Sequence, residues 1–360
     1  MCGELHDPTH FALISAARLA ADEILEQYLR VPLHKAFNLG SRSGFDRAVA
    51  SLAGLLSAKA SESDLNAVRA AVAVLDVDWG KTTAAERRTL IGRALEAAGR
   101  RTAGVPQAVE GVFGDAATAV VDATRDAARR GQRLHIAADF NALDRRIIEH
   151  LHRSQANFVT DEYGRRNVAF GERAREIVAQ GLEGGLGRAD IAGNLEQAAK
   201  DIITGRGAFY WEVVAGSFVS RGRSFAQLSA YAEAGIERYV IEAVLDENTT
   251  QICRYLDGKS FTVSSGLDTF AKVEANPDEV KTLTPWVREG LSAETGKTVL
   301  FVQRGDERVR VAEVTRSAVG TRDDRGEFGR GLSERDLSNL GVSFPPYHGL
   351  CRSTTLVADI

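Results

Sequence analysis

Two stretches of this chain hold residues whose types and spacing could do chemistry. Residues 246–261 carry Asp246, Thr249, Cys253, Asp257 and Gly258, and residues 344–353 carry Pro345, Pro346, His348, Cys351 and Arg352. The chain has three cysteines, and two of them lie in these stretches. The spacing His348-x-x-Cys351 lets an imidazole and a thiol share one ion, and Cys253 becomes a third ligand if the fold joins the two stretches. Structural zinc takes four ligands, so Asp257 or a water would have to complete the set. Other chemistry fits the same residues. Cys253 and Cys351 could be small buried apolar groups with His348 hydrogen-bonded beside them, or they could form a disulfide. Cys351 could be a nucleophile with His348 as its base, but no orienting third group or oxyanion stabiliser is evident.

The elements around these stretches decide whether they meet. A β-branched apolar run at 239–245 predicts a strand that ends at Asp246. Asp246 or Thr249 could then cap a short helix carrying Cys253, which Asp257 and Gly258 would end. Pro345 and Pro346 predict an extended entry into His348. Further strands are expected at 259–263, 298–303, 308–311 and 353–358, with a hairpin turn at 303–308 and a charged, glycine-rich loop at 320–331. Residues 236–360 thus read as a small α+β domain with an antiparallel or mixed sheet.

Upstream of it, apolar residues recur at helical spacing. Asp7 and Pro8 start one helix, which runs to Pro32. Leu65, Val68, Val72 and Leu75 mark a second. Thr83 and Glu86 form a capping-box pair ahead of Leu90, Ile91 and Leu95, and Pro106 opens a segment with Val109, Val112 and Phe113 on one side. Leu143, Ile147, Ile148 and Leu151 make another stripe. A polar stretch at 157–171 suggests a bend, and the glycines at 181–187 a clear break. Residues 1–180 therefore read as a large, mostly helical region, alanine-rich enough for close helix contacts, and 181–235 as a helical lead-in. The fold class expected is α+β.

Composition narrows the function. The 360 residues are 44% hydrophobic and 26% charged, with a formal net charge of −4. That excludes a polybasic nucleic-acid coat, although Arg165 and Arg166, Arg221 and Arg223, or Arg304, Arg308 and Arg310 could still touch phosphates locally. No apolar run reaches the roughly 20 residues of a membrane span. The acidic start, without an apolar block before Pro8, is unlike a secretory signal, and three cysteines suit a reducing cytosol better than a disulfide framework. No phosphate loop, nucleophile elbow or dinucleotide fingerprint is present.

The order strand, Asp246-x-x-Thr249, Cys253, Asp257-Gly258-Lys259-x-Phe261, then Pro345-Pro346-x-His348-x-x-Cys351-Arg352-Ser353-Thr354 resembles the phage Mu F-like family of minor head (head morphogenesis) proteins. The likeness covers about residues 185–360. Many members have further cysteines where this chain has Thr250 and Ser353, which weakens the carry-over of a zinc site but not the resemblance. The resemblance implies a minor virion structural protein, acting in head morphogenesis or in DNA packaging and delivery at the portal vertex. It implies portal, capsid or scaffold proteins as partners, non-specific contact with packaged DNA, and a place in the head interior or at the portal vertex after assembly in the host cytoplasm. No catalysis is expected. The alternative is a metal-assisted hydrolase or nuclease built on Cys253, His348, Cys351 and Asp257.

Overall fold

A computed structural model describes residues 39–204 and 208–358, so the helix expected over 8–32 lies outside the described residues. Helix α1 (Arg42–Leu75) is capped by Ser41, whose hydroxyl accepts from the Gly44 N–H at 3.2 Å. It starts far upstream of the stripe that signalled it. Helix α2 (Ala84–Thr102) opens on the expected capping box: the Thr83 hydroxyl accepts from the Glu86 N–H and the Glu86 carboxylate from the Thr83 N–H. Pro106 lies in the first turn of α3 (Val105–Gly131), where no N–H is needed.

Helix α4 (Ala142–Glu183) runs unbroken through 157–171, where a bend was expected. The polar residues there include no proline. Gly171 is a contact point rather than a break: a Cβ at that position would sit 2.8 Å from Leu95 Cδ1, so its lack of a side chain lets α2 lie close against α4. The predicted glycine break does follow, and α5 (Arg188–Ile203) and α6 (Ala208–Glu233) complete the helical part. At 1.5 Å per residue α1 spans about 50 Å and α4 about 60 Å.

Both long helices serve two cores. The C-terminal half of α1 packs Ala67, Val68, Ala71 and Leu75 with Ile91, Ala94 and Ala98 of α2, Phe170 and Ala174 of α4, and Ile191 and Leu195 of α5. Its N-terminal half, with Phe45, Ala48, Leu52 and Leu56, joins α3, the start of α4 and α6 in a second cluster that continues into the C-terminal part as far as Cys351. The alanine-rich faces are what admit these close contacts.

The C-terminal part contains β1 (Arg238–Glu242), α7 (Gln251–Leu256), β2 (Ser260–Thr262), α8 (Val263–Ala275), α9 (Val280–Leu283), β3 (Val287–Leu291), β4 (Thr298–Arg304), β5 (Glu307–Arg316), β6 (Glu327–Gly329), α10 (Glu334–Asn339) and β7 (Thr354–Val357). The fold class is α+β, and all strand pairings are antiparallel. Two sheets form rather than one, in the orders β2-β1-β7 and β3-β4-β5-β6. The first opens at β1 and closes at β7, as expected, with Tyr239 facing Val357 in register. β1 is shorter than its apolar run, because the chain leaves the sheet after Glu242 to enter the loop before α7. The charged loop at 320–331 contributes a short edge strand, β6. Helix α6 lies along the last strand: Gln227 Nε2 donates to the Thr355 carbonyl at 3.0 Å and Tyr231 Oη donates to the same carbonyl at 2.9 Å. No helix among the described residues is long and apolar enough to cross a membrane.

Candidate metal centre

Helix α7 is a short helix placed by its ends. Its N-cap is Thr250, whose hydroxyl accepts from the Cys253 N–H at 3.3 Å, so neither Asp246 nor Thr249 does the capping that was expected of one of them. Those two residues instead close the loop before the helix. Asp246 Oδ1 accepts from the Asn248 N–H at 3.0 Å and from the Thr249 hydroxyl at 2.9 Å. At the other end Gly258 takes φ +79, as the expected C-terminal role requires, and its N–H donates to the Ile241 carbonyl at 2.8 Å. Asp257 is tied down on both oxygens, accepting from the Ala243 N–H at 2.9 Å and from Arg325 Nε at 2.6 Å.

The second stretch arrives through a bend at 343–345, with Pro345 and Pro346 both buried and joined by a cis peptide bond, and not through the extended run expected. The bend turns the following residues back onto α7. Cys253 Sγ lies 3.1 Å from His348 Nε2 and 3.8 Å from Cys351 Sγ. All three ligand atoms fall within 4.8 Å of one another. Both cysteines are free and buried, and His348 is half-buried.

This donor set could hold a metal ion such as zinc. Two thiolate ligands of a tetrahedral zinc stand about 3.8 Å apart, given bonds of about 2.3 Å, which is the separation found here. Asp257 is not part of the cluster, contrary to the expectation that it could be the fourth ligand; it is fastened to Ala243 and Arg325 instead. Thr250 and Ser353 are nearer. The Thr250 hydroxyl is 3.3 Å from His348 Nε2, and the buried Ser353 hydroxyl lies beside the Cys253 thiol. Both line a cleft of about 20 Å³ with Cys253 and His348, room for one water-sized ligand.

The electrostatics split the two thiols. The hydrogen bond to Cys351 and then burial push the Cys253 thiol well up. Burial alone would raise Cys351 too, but the hydrogen bond from Cys253, the nearby His348 and the backbone at Tyr347 and Ser353 outweigh it and bring Cys351 down to about 5. The environment thus favours the charged form at Cys351 over Cys253. The imidazole hydrogen-bonds to Cys253, with Cys351 Sγ inside the same 4.8 Å cluster.

Arginines hold the corner together. Arg352 Nη2 donates to Asp246 Oδ1 at 2.7 Å, and Arg42 from α1 pairs with the other oxygen of the same carboxylate. The Arg352 guanidinium, above all, holds the Asp246 carboxyl well below the usual range. Arg254, fully buried beside Cys253, donates to the carbonyls of Thr249 at 3.1 Å, Asp246 at 2.6 Å and Thr321 at 2.8 Å, and also to that of Asp324. Arg223 of α6 donates to the carbonyls of Arg352 at 3.1 Å and Ser353 at 2.6 Å. Reading the sequence missed Arg42, Arg254 and the role of Arg223, since nothing in their spacing separates a buried arginine from a solvated one.

The arginine groups proposed as phosphate contacts divide in the same way. Arg165, Arg304, Arg308 and Arg310 are exposed, whereas Arg166, Arg221 and Arg223 are buried and do not form the solvated surface expected of them. Comparison with protein-family models, with curated proteins and with solved structures finds no match to this chain.

Proposed function

We propose that this chain is a non-catalytic assembly protein of a phage or phage-derived particle, a minor head protein acting in head morphogenesis or in DNA packaging and delivery at the portal vertex. The observation that carries this reading is the meeting of Cys253 with His348, 95 residues along the chain, and with Cys351. The two stretches on which the Mu F-like resemblance rests are thereby parts of one structural unit, which is what a shared family motif requires. In this reading the centre holds zinc through Cys253, His348 and Cys351, with a water as the fourth ligand. The ion would supply a cross-link between α7 and residues 348–353. The cleft is small, about 20 Å³ or the space of one water, which favours the assembly reading over the hydrolase or nuclease. The helical region is the part that meets portal, capsid or scaffold proteins. The protein then works in the head interior or at the portal vertex after assembly in the host cytoplasm.

The test is made in the host. Particles are purified from cells carrying the gene and from cells lacking it, and their proteins are quantified by mass spectrometry. The expected result is a few copies per particle, and particles that are incomplete or poorly infectious without the gene. Absence of the protein from intact particles would overturn the proposal. So would a hydrolytic turnover by the purified chain that Cys253→Ser abolishes while the protein stays folded.

A further inference from the structure

Away from the metal centre, a cavity of about 410 Å³ opens between α4, α6, the segment 280–288 and β4. Its volume is that of a small-ligand site. Arg165, Arg221, Lys281 and Arg288 line it, and none of its described lining residues is an Asp or Glu. Tyr210 and Trp286 supply aromatic wall, and Trp286 is 38% exposed, a large apolar ring left facing solvent.

Arg221 is the informative residue. It is only 8% exposed, its Nε is buried without a hydrogen-bond partner, and no carboxylate pairs with it. The other buried arginines each have at least one partner on the guanidinium, though Arg125 and Arg223 also leave Nε unpaired: Arg125 has Asp144 and Glu233, Arg166 the Ile203 carbonyl, Arg223 two carbonyls and Arg254 four. Burial alone acts on Arg221, bringing its pKa down to about 10. A buried guanidinium without a partner is costly. One that lines a cavity with Arg288, and with no acid among the described lining residues, is placed to receive an anion.

We infer that this cavity binds a nucleotide, with its phosphate on the Arg221 guanidinium and its base against Trp286. Charge selects the phosphate: the two guanidinium groups of Arg221 and Arg288 suit a dianion better than a single carboxylate. The flat, partly exposed indole beside them selects a planar ring, since every base offers a face to stack. The free nucleotide and the 5′-phosphorylated end of a single strand share this chemistry. The site is independent of the metal centre and of the assembly role.

The full chain is titrated at low salt with deoxyadenosine monophosphate, inorganic phosphate, and an oligodeoxyadenylate with and without its 5′-phosphate. Calorimetry gives the affinities and tryptophan fluorescence reports on Trp286, since Trp79 and Trp211 are both buried. The mononucleotide should quench fluorescence and bind at least about tenfold more tightly than inorganic phosphate. Arg221→Met should weaken it at least about tenfold, the loss of a charge-assisted bidentate contact. Because Arg221 has no partner to lose, that variant should keep its melting temperature. Arg288→Ala, on the surface, should weaken binding without touching the core. Tighter binding of the 5′-phosphorylated strand than of its unphosphorylated form, lost in Arg221→Met, would assign the site to a nucleic-acid end; binding of the mononucleotide alone would assign it to the free nucleotide. Three results would overturn the inference: no saturation by any probe at millimolar concentration, inorganic phosphate binding as tightly as the mononucleotide, or affinity unchanged in Arg221→Met.

Discussion

Asp246 shows how much a single side chain can organise. One carboxylate closes its own loop through Asn248 and Thr249, anchors Arg352 next to Cys351, and reaches Arg42 on α1. Asp246→Ala would strand Arg352 and open the loop, and should lower stability by roughly 2–3 kcal/mol in urea denaturation. A loss below about 0.5 kcal/mol would place the carboxylate among surface pairs of little worth. The centre itself gives a second expectation. The purified chain should carry about one zinc, released on chelation with a fall in melting temperature, as a structural site does. Cys253→Ser and His348→Ala should each abolish stoichiometric zinc in elemental analysis, whereas Asp257→Asn should retain it. The Cys253, His348 and Cys351 set was legible in the sequence because soft ligands are scarce in this chain. Asp257 was misjudged and Thr250 overlooked as a cap, because spacing along the chain does not reveal which oxygen a backbone N–H will take.

At the scale of elements, local signals carried most of the helices and punctuation carried their ends. The capping box at Thr83 and Glu86, Pro106 in a first turn and the glycine break before α5 all act through neighbours in sequence. What escaped was set by tertiary contact. Thr262 ends β2 and caps α8 at once, so the strand signal of Phe261 masked the helical spacing of Val263, Leu267 and Phe270. Of β3 only Val287 is buried, which leaves no alternation to read. The junction of α4, α6 and α8 shows a further feature that pattern does not predict. His150 is buried between Phe225 and Phe270, at ring-centroid distances of 6.0 and 5.8 Å. Burial first, and then the Arg221 charge, lower its pKa to about 4, against an opposing pull from Glu274, which also pairs with Arg146. The folded protein therefore resists protonating His150, while the unfolded chain binds that proton below about 6.5. The contribution is complete above that pH and is lost as pH falls towards 4, by on the order of 3 kcal/mol. His150→Phe should flatten the dependence of the urea midpoint between pH 7 and pH 4.5. An unchanged slope in that variant would assign the acid sensitivity to other groups.

Across the whole molecule, the helical and sheet-bearing parts depend on each other. The buried cluster that contains Phe45 of α1 also contains Tyr239 of β1 and Cys351. Helix α6 supplies the polar partners of the last strand and of the metal corner: Arg223 to the carbonyls of Arg352 and Ser353, Gln227 and Tyr231 to that of Thr355. Arg223 also lies over the Phe45 ring, 4.4 Å from its centroid, so one side chain joins α1, α6 and residues 352–353. A fragment of residues 236–360 would expose this apolar face to water and lose its hydrogen bonds from α6, each worth about 0.5–1.5 kcal/mol net, together with the burial of the shared core. With total stabilities of only about 5–15 kcal/mol, that loss exceeds what a small domain can absorb. The fragment should give no cooperative thermal transition and should be degraded rapidly by protease, with or without zinc. A fragment of residues 208–360 restores the α6 donors but still lacks Arg42 and Phe45. It should recover partial protection that Arg223→Met removes. A sharp melt of the 236–360 fragment alone would show that the motif region is autonomous, and that the contacts from α1 and α6 only adjust where it sits.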